Sequence, residues 1–167
     1  MAGLKPSFNF MKIPAKVSNF LKKNKIKHEV LEHKTVFTAY DLAQTLKRKL
    51  NEVVKTLVVK VDKGHALVIL PASHQVDFKA LKKVLKAKVV DIDKENMMAK
   101  LFKVKPGAIS PFHGPLHKLP VYMDKGVLKA QKAVVQAGSF EQSVHLKTKD
   151  LLKALQGQIA NFSKKRK

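Results

Sequence analysis

Residues 53–70 read VVKTLVVKVDKGHALVIL, two apolar runs separated by Asp62, Lys63 and Gly64. β-Branched and aliphatic residues favour strands, and a short glycine-containing turn between two such runs is typical of a β-hairpin. The sequence therefore predicts two antiparallel strands, at 53–61 and 65–70, joined by a tight turn.

Lys55 is a charged residue inside the first of these apolar runs. Because side chains of a strand alternate between its faces, Lys55 shares a face with Val53, Leu57 and Val59, which predicts partial burial. A buried ammonium group requires an anionic or carbonyl partner, so the residue is a candidate for a binding site. The alternative is a lysine on an edge strand whose ammonium group reaches water.

Helices and further strands are expected on both sides of the hairpin, from apolar spacing and from capping residues such as Thr38 and Asp77. The predicted helices are 14–24, 38–50, 77–85, 93–102 and 148–155, and the further strands are 26–31, 88–91, 119–123, 133–136 and 143–147. This mixed order predicts an α+β fold, a single domain with a mixed β-sheet flanked by helices. We expect the domain to occupy residues 13–156, between basic tails at 1–12 and 157–167.

Residues 106–115 contain three prolines and two glycines, which predicts the longest irregular loop within the fold. Its segment from Gly107 to Pro111 begins with glycine and ends with proline, and such a loop can direct consecutive backbone groups at a ligand. An ordinary rigid turn is the alternative interpretation.

The chain is strongly basic: its 167 residues include 34 Lys and Arg against 12 Asp and Glu, a formal net charge of +22 at pH 7. A field of this strength indicates a polyanionic partner. Only Arg48 and Arg166 are arginine, and lysine is a mobile point charge, so the composition favours contacts with a phosphate backbone over recognition of base edges. Lysines that merely keep helix faces solvated are the alternative.

Several classes of protein are excluded or disfavoured by what the sequence lacks. With no cysteine, a disulfide framework, a thiolate metal site and a cysteine nucleophile are excluded. No apolar run reaches the roughly 18 residues that span a bilayer, and the first residues lack the apolar core of a signal peptide. We therefore expect a cytoplasmic protein with no membrane partner.

Motifs for metal, nucleotide or paired-carboxylate chemistry are not apparent. His28 and His33 are five positions apart and fall on different faces of a helix or a strand, while a glycine and a proline separate His113 from His117. No glycine pattern resembles a phosphate-binding loop, and the carboxylates are dispersed. We expect no metal and no cofactor.

Seven segments occur in an order and spacing that resemble a known family. The two most specific are residues 54–57 (VKTL) and, about fifty residues later, 106–112 (PGAISPF). The other five are 14–30, 32–33 (EH), 77–85, 119–124 (LPVYMD) and 137–139 (AGS). Over about residues 13–155 the chain resembles the YbaK/prolyl-tRNA synthetase editing-domain family of aminoacyl-tRNA deacylases.

The resemblance implies a free-standing, trans-editing hydrolase that serves translation fidelity by cleaving the ester of a tRNA mischarged with a small amino acid. The implied partners are this mischarged tRNA and an aminoacyl-tRNA synthetase. The implied catalytic residues are Lys55, which supplies positive charge, and Gly107 and Ala108, whose backbone belongs to the loop that holds the aminoacyl group and water. The implied substrate-binding residues are Leu31, Tyr40, Thr56, Ile109, Ser110, Pro111, Ala137 and Ser143. Basic residues expected to contact the tRNA are Lys22, Lys23, Lys47, Arg48 and Lys49.

Two residues depart from the pattern of the family. Ala108 stands where many relatives have a second glycine, and Phe140 stands where a subset of relatives has histidine. These departures and the high charge leave open a non-catalytic tRNA-binding module on the same scaffold, and, as a weaker possibility, a regulatory partner of a synthetase. Because a pocket discriminates weakly between small side chains, alanine, serine, threonine and cysteine all remain candidate substrates.

Overall fold

Helices and strands alternate along the part of the chain that the computed structural model describes, residues 12–93, 100–105 and 108–166. The helices are α1 (Ala15–Lys23), α2 (Ala39–Thr45), α3 (Phe78–Leu85), α4 (His113–Leu116) and α5 (Thr148–Leu155), with 3₁₀ turns at Leu50–Glu52 and Lys125–Lys129. The strands are β1 (Glu29–Glu32), β2 (Val53–Val61), β3 (Gly64–Pro71), β4 (His74–Val76), β5 (Val90–Ile92), β6 (Val121–Asp124), β7 (Lys132–Gln136), β8 (Gln142–Lys147), β9 (Gln158–Ala160) and β10 (Ser163–Lys165).

Within the described residues, eight strands form one mixed sheet. Its order is β1-β8-β7-β2-β3-β6-β9, with β5 also pairing with β2, and β4 and β10 form a separate ribbon. Strand β2 pairs antiparallel with β3 and parallel with β7, so both directions meet at the centre of the sheet. The predicted α+β class, with a mixed sheet flanked by helices, is confirmed.

The predicted hairpin is confirmed as the pair β2–β3, which runs from Val54 opposite Pro71 to Val61 opposite Gly64. Asp62 turns the chain with a positive φ of 49°. Its carboxylate also accepts a hydrogen bond of 3.0 Å from the Val89 N–H, which ties the turn to the start of β5. A short polar side chain tolerates this left-handed conformation better than a β-branched one would.

Strand β2 lacks a paired strand on one side over four residues. On that side β7 pairs with Val53 and Val54, and β5 pairs with residues 59–61, whereas β3 occupies the opposite side. Between them, no strand among the described residues pairs with positions 55–58, although the Asp93 N–H donates a hydrogen bond of 2.9 Å to the Val58 carbonyl. This gap in the sheet positions the candidate site.

The two faces of β2 pack against different parts of the core. Val54 and Val58 belong to the main cluster, which also contains buried residues of α1 and α5. Val53 and Val59 point to the other face and belong to two separate smaller clusters, one with residues of α2 and one with Leu81 of α3. Lys55 follows Val53 on this face, so it lies where the apolar packing is interrupted.

Helix α2 ends earlier than the sequence predicted. Thr38 caps its start by accepting a hydrogen bond from the Asp41 N–H, but the helix stops at Thr45 because Lys47 adopts a left-handed conformation with φ of 53°. The Arg48 N–H then bonds back to the Ala43 carbonyl at 2.8 Å, as at a helix C-terminus. Residues 47–49 therefore lie in the connection after the helix and not on its face.

The segment 106–115 is less irregular than predicted, since its last part forms the short helix α4. Pro115 is tolerated there because the first turn of a helix needs no backbone donor from it. Pro106 and Gly107 lie outside the described residues, as do residues 94–99 of the predicted helix 93–102, of which 100–102 are helical.

The predicted C-terminal tail instead contributes two strands. Strand β9 pairs parallel with β6 at the edge of the sheet, and β10 pairs antiparallel with β4. Phe162, between them, is fully buried beside Leu70 and Leu81. Most of the predicted N-terminal tail, residues 1–11, is outside the described part of the chain. Over the residues that are described, no helix is both long and apolar enough to cross a membrane.

Candidate active site

A cleft of about 240 Å³ opens at the gap in the sheet. It is bordered by residues 37–40 at the start of α2, residues 55–58 of β2, Ile92 and Asp93 at the end of β5, Ile109 and Gln136. Four of the predicted site residues come together there, namely Lys55, Tyr40, Thr56 and Ile109. Because the sheet is interrupted, side chains from both faces of β2 reach the same cleft.

Lys55 is half-buried, and its ammonium group donates a hydrogen bond of 3.1 Å to the hydroxyl of Tyr40. The Nζ atom also lies 5.5 Å from the centroid of the Tyr40 ring, within the range of a cation–π contact. No carboxylate of the described residues forms an ion pair with Lys55. The partner within the protein is therefore a phenol, and the positive charge stays available to an anionic ligand.

Tyr40 joins Lys55 to a second cation. Its hydroxyl accepts hydrogen bonds from Lys55 and from the guanidinium group of Arg166. Partial burial raises the pKa of Tyr40, but the hydrogen bond and charge of Lys55, reinforced by Arg166, outweigh it and lower the pKa below its ordinary value. This lowered pKa reports a positive potential at the mouth of the cleft.

Gln136 is a residue of the cleft that the sequence analysis missed. It ends β7, its side chain is only 9% exposed, and its Nε2 has no hydrogen-bond partner among the described residues. A buried amide donor without a partner is costly and is often found where a ligand supplies the missing acceptor. The available signal was a glutamine closing an apolar strand just before the Ala137-Gly138-Ser139 segment.

The loop that follows residue 107 forms one wall of the cleft through Ile109 alone. Ala108 is fully buried, and its N–H donates to the Lys105 carbonyl at 3.0 Å. Ser110 is also buried, and its hydroxyl accepts a hydrogen bond from the Phe112 N–H at 3.1 Å. Gly107 lies outside the described residues, so its predicted catalytic role stays a prediction.

His113 stabilises the conformation of this loop through a hydrogen bond and a ring contact. Its Nδ1 accepts a hydrogen bond of 3.0 Å from the Ser110 N–H, and its ring stacks on Phe102 at 4.9 Å between centroids. Burial, followed by the charge of His117, lowers the pKa of His113 to about 4. The imidazole is therefore neutral near pH 7, as its role as acceptor requires.

The remaining predicted substrate-binding residues do not border the cleft. Pro111 is buried, and Ala137 belongs to the main core. Leu31 packs against the cluster beside α2. The hydroxyl of Ser143 is buried and bonds to His33 Nε2 at 2.9 Å. These residues support the elements that carry the site.

The predicted tRNA-binding residues fall in two places. Lys22 and Lys23 are exposed in the last turn of α1. Arg48 and Lys49 border a shallow groove of about 370 Å³ together with Lys132 and His145. Both places add positive charge to the surface. No group of three or more His, Cys, Asp or Glu side chains in the described ranges is placed to hold a metal ion.

Comparison with curated proteins finds relatives among proline–tRNA ligases. Those of Staphylococcus aureus strains Newman and USA300 are each 28% identical to the chain over 118 residues, which is 71% of this chain and 20% of the ligase. The chain thus spans about a fifth of the length of these relatives.

Solved structures share the fold. A candidate trans-editing enzyme for prolyl tRNA synthetase superimposes with a TM-score of 0.79 at 20% identity, over 89% of this chain and 95% of its own. A hypothetical protein superimposes with a TM-score of 0.82, also at 20% identity, over 89% of this chain and 99% of its own. The family model of the aminoacyl-tRNA editing domain matches residues 33–154, the span that contains the gap in the sheet, Lys55 and Gln136. The chain therefore belongs to the aminoacyl-tRNA editing domain family.

Proposed function

We propose that the protein is a trans-editing deacylase that hydrolyses the ester of a tRNA mischarged with a small amino acid. The observation that carries the proposal is the meeting, in one cleft, of an ammonium group without a carboxylate partner and a buried amide without an acceptor. Lys55 has no carboxylate partner among the described residues, and the buried Gln136 amide has no hydrogen-bond acceptor there. A negatively charged ligand with a carbonyl group would satisfy both.

The proposed reaction needs no protein nucleophile, because an aminoacyl ester is already activated. A water oxygen forms a bond to the ester carbonyl carbon, and the carbonyl oxygen becomes an oxyanion. Lys55 and the Gln136 amide stabilise that charge. The bond to the terminal ribose oxygen then breaks, the proton of the water goes to that oxygen, and the free amino acid and the tRNA hydroxyl are released.

The size and lining of the cleft support a small aminoacyl group. Its volume is about 240 Å³, and Leu57, Val58 and Ile109 give it apolar walls beside the hydroxyl of Thr56. When two side chains differ by one methylene, apolar walls of this kind discriminate between them by only about 1–3 kcal/mol of binding free energy. We therefore expect selectivity for size, with overlap between alanine, serine, threonine and cysteine.

The test is release of labelled amino acid from tRNAs charged with alanine, serine, threonine, cysteine or proline. Because the chain is similar to proline–tRNA ligases, the tRNA for proline should be tested first, charged with each amino acid in turn. We expect Lys55→Ala to lower kcat/KM by about 100-fold or more, the typical effect of removing an oxyanion donor. Lys60→Ala is the matched control, since Lys60 is an exposed lysine of the same strand. Equal rates for wild type and Lys55→Ala would contradict the assignment.

A second candidate function is a tRNA-binding module without catalysis. The net charge of +22 favours it, as does Phe140, which packs edge-on against the exposed Phe37 at 4.9 Å instead of providing a histidine. Binding of tRNA that weakens with salt is expected under both functions. Absence of release from every charged tRNA, with that binding intact, would favour the module. A synthetase partner would be tested by co-purification.

A further inference from the structure

The chain from residue 161 to 166 docks beside the cleft and is held there by backbone and side-chain contacts. Phe162 is fully buried, its N–H donates to Asp124 Oδ1 at 2.9 Å, and its carbonyl accepts from the Asp77 N–H at 2.7 Å. Strand β10 then pairs with β4, and the Arg166 N–H bonds to the Ser73 carbonyl at 3.0 Å. We call residues 161–166 the β10 arm.

The β10 arm brings a second cation to the Tyr40 side chain that Lys55 contacts. The guanidinium carbon of Arg166 lies 4.9 Å from the centroid of the Tyr40 ring, and one of its nitrogens donates to the Tyr40 hydroxyl. No carboxylate of the described residues pairs with Arg166. Two cations on one phenol repel each other, and a bound anion would offset that repulsion. The arrangement therefore points to an anionic ligand.

Positive charge continues outward from Tyr40 along the arm. Lys164, Lys165 and Arg166 are all exposed, and a groove of about 430 Å³ lies between Tyr40, Leu50, Ser73, Lys165 and Arg166. His74 lies opposite Lys165 in the ribbon. Burial, followed by the charges of Lys129, Lys165 and Lys55, lowers the pKa of His74, although Asp124 opposes this. The charged side chains that line the groove, Lys165 and Arg166, are both cationic.

We propose that Arg166, assisted by Lys165, binds a backbone phosphodiester of the single-stranded 3′ end of tRNA and so positions the terminal ester beside Lys55. The proposal rests on the proposed function and names a positioning residue outside the segment that matches the family, residues 33–154. A guanidinium fork suits a phosphodiester because it can donate two parallel hydrogen bonds, which lysine cannot.

The first test compares two substrates, aminoacyl-tRNA and a 3′-O-aminoacyl-adenosine that carries no phosphate. We expect Arg166→Gln to raise KM for aminoacyl-tRNA about tenfold with little change in kcat, the size of one charged hydrogen bond. The same variant should hydrolyse aminoacyl-adenosine at the wild-type rate. Arg166→Lys should restore only part of the affinity. Lys149→Gln, which removes the same charge from an exposed position of α5, is the matched control.

Equal losses on both substrates would overturn the proposal, since Arg166 would then act through Tyr40 and not on a phosphate. An unchanged KM for aminoacyl-tRNA would overturn it as well. Thermal unfolding of each variant verifies that the exposed substitution leaves the fold intact.

A second measurement separates this proposal from the proposed function. Binding of the uncharged trinucleotide CpCpA needs no hydrolysis, and we expect Arg166→Gln to weaken it about tenfold and to reduce the slope of log K against log salt by about 0.7. If wild type released no amino acid but CpCpA binding still depended on Arg166, the deacylase would be rejected and the phosphate site retained. CpCpA binding that is equal in both proteins would reject the phosphate site.

Discussion

The central hairpin and the β10 arm both deliver a cation to Tyr40, but they are held in place in different ways. Strands β2 and β3 pair over eight positions, and most of their residues are buried. The β10 arm pairs over three positions, and Phe162 is its fully buried anchor. The position of Lys55 is therefore fixed by the core of the protein, whereas the position of Arg166 depends on one buried side chain and a few hydrogen bonds.

The largest effects on stability should come from truncating a fully buried side chain in each region. Leu67→Ala, in β3, removes a fully buried side chain and should lower the free energy of unfolding by about 3 kcal/mol, with faster amide exchange throughout the sheet. Phe162→Ala should instead release the β10 arm, with faster exchange confined to β4 and β10. Urea unfolding and amide hydrogen exchange measure both. Exchange that accelerates everywhere in Phe162→Ala would show that the arm is part of the central unit.

A comparable loss of stability is expected from acid, through His113 beside the loop that borders the cleft. The pKa of His113 is about 4 in the folded protein, against 6.5 for an ordinary histidine, so the unfolded chain binds the proton first as the pH falls. Stability should therefore fall between about pH 6.5 and 4, by about 3 kcal/mol, and change no further below that window for this group.

Urea unfolding at several pH values measures this loss. His113→Gln should flatten the profile, and His117→Gln should flatten it less because His117 is only half-buried. A His113→Gln profile as steep as that of wild type would assign the acid sensitivity to other groups.

The smallest effect should be on kinetics and should come from a substitution of Gln136 in the cleft. Gln136→Met keeps the volume of the side chain but removes the amide, so kcat should fall about 10- to 100-fold while KM changes little. Stability should stay equal or rise, because an unsatisfied buried donor is removed. Single-turnover hydrolysis and urea unfolding check both expectations. A raised KM at unchanged kcat would place Gln136 in binding, like Arg166, and not in the chemical step.

The sequence predicted the central hairpin well because its two strands are determined by local residue patterns. The two apolar runs between 53 and 70 determine the two strands, and Lys55 is visible as a charge within the first of them. The resemblance to the editing-domain family brought Tyr40, Thr56 and Ile109 to the same site, and the structure gathers them in the cleft.

The β10 arm could not be predicted because residues 163–166, SKKR, have no strand pattern. Their conformation comes from the burial of Phe162 and from the free edge of β4, which are tertiary contacts. The end of α2 was missed for a related reason, since Lys47 adopts a left-handed conformation that no residue type signals. Gln136 was missed because a pattern cannot reveal whether an amide has a partner.

The gap in the sheet also limits what the protein can accept. A strand edge is usually a hazard, because a second chain can add to it by backbone pairing. Here the unpaired edge of β2 covers only positions 55–58, between β7 and β5, or roughly 13 Å at the rise of a strand. A peptide strand of ordinary length would meet the ends of both neighbours before it could pair. The shortness of the interruption therefore also protects the fold against β-aggregation at its centre.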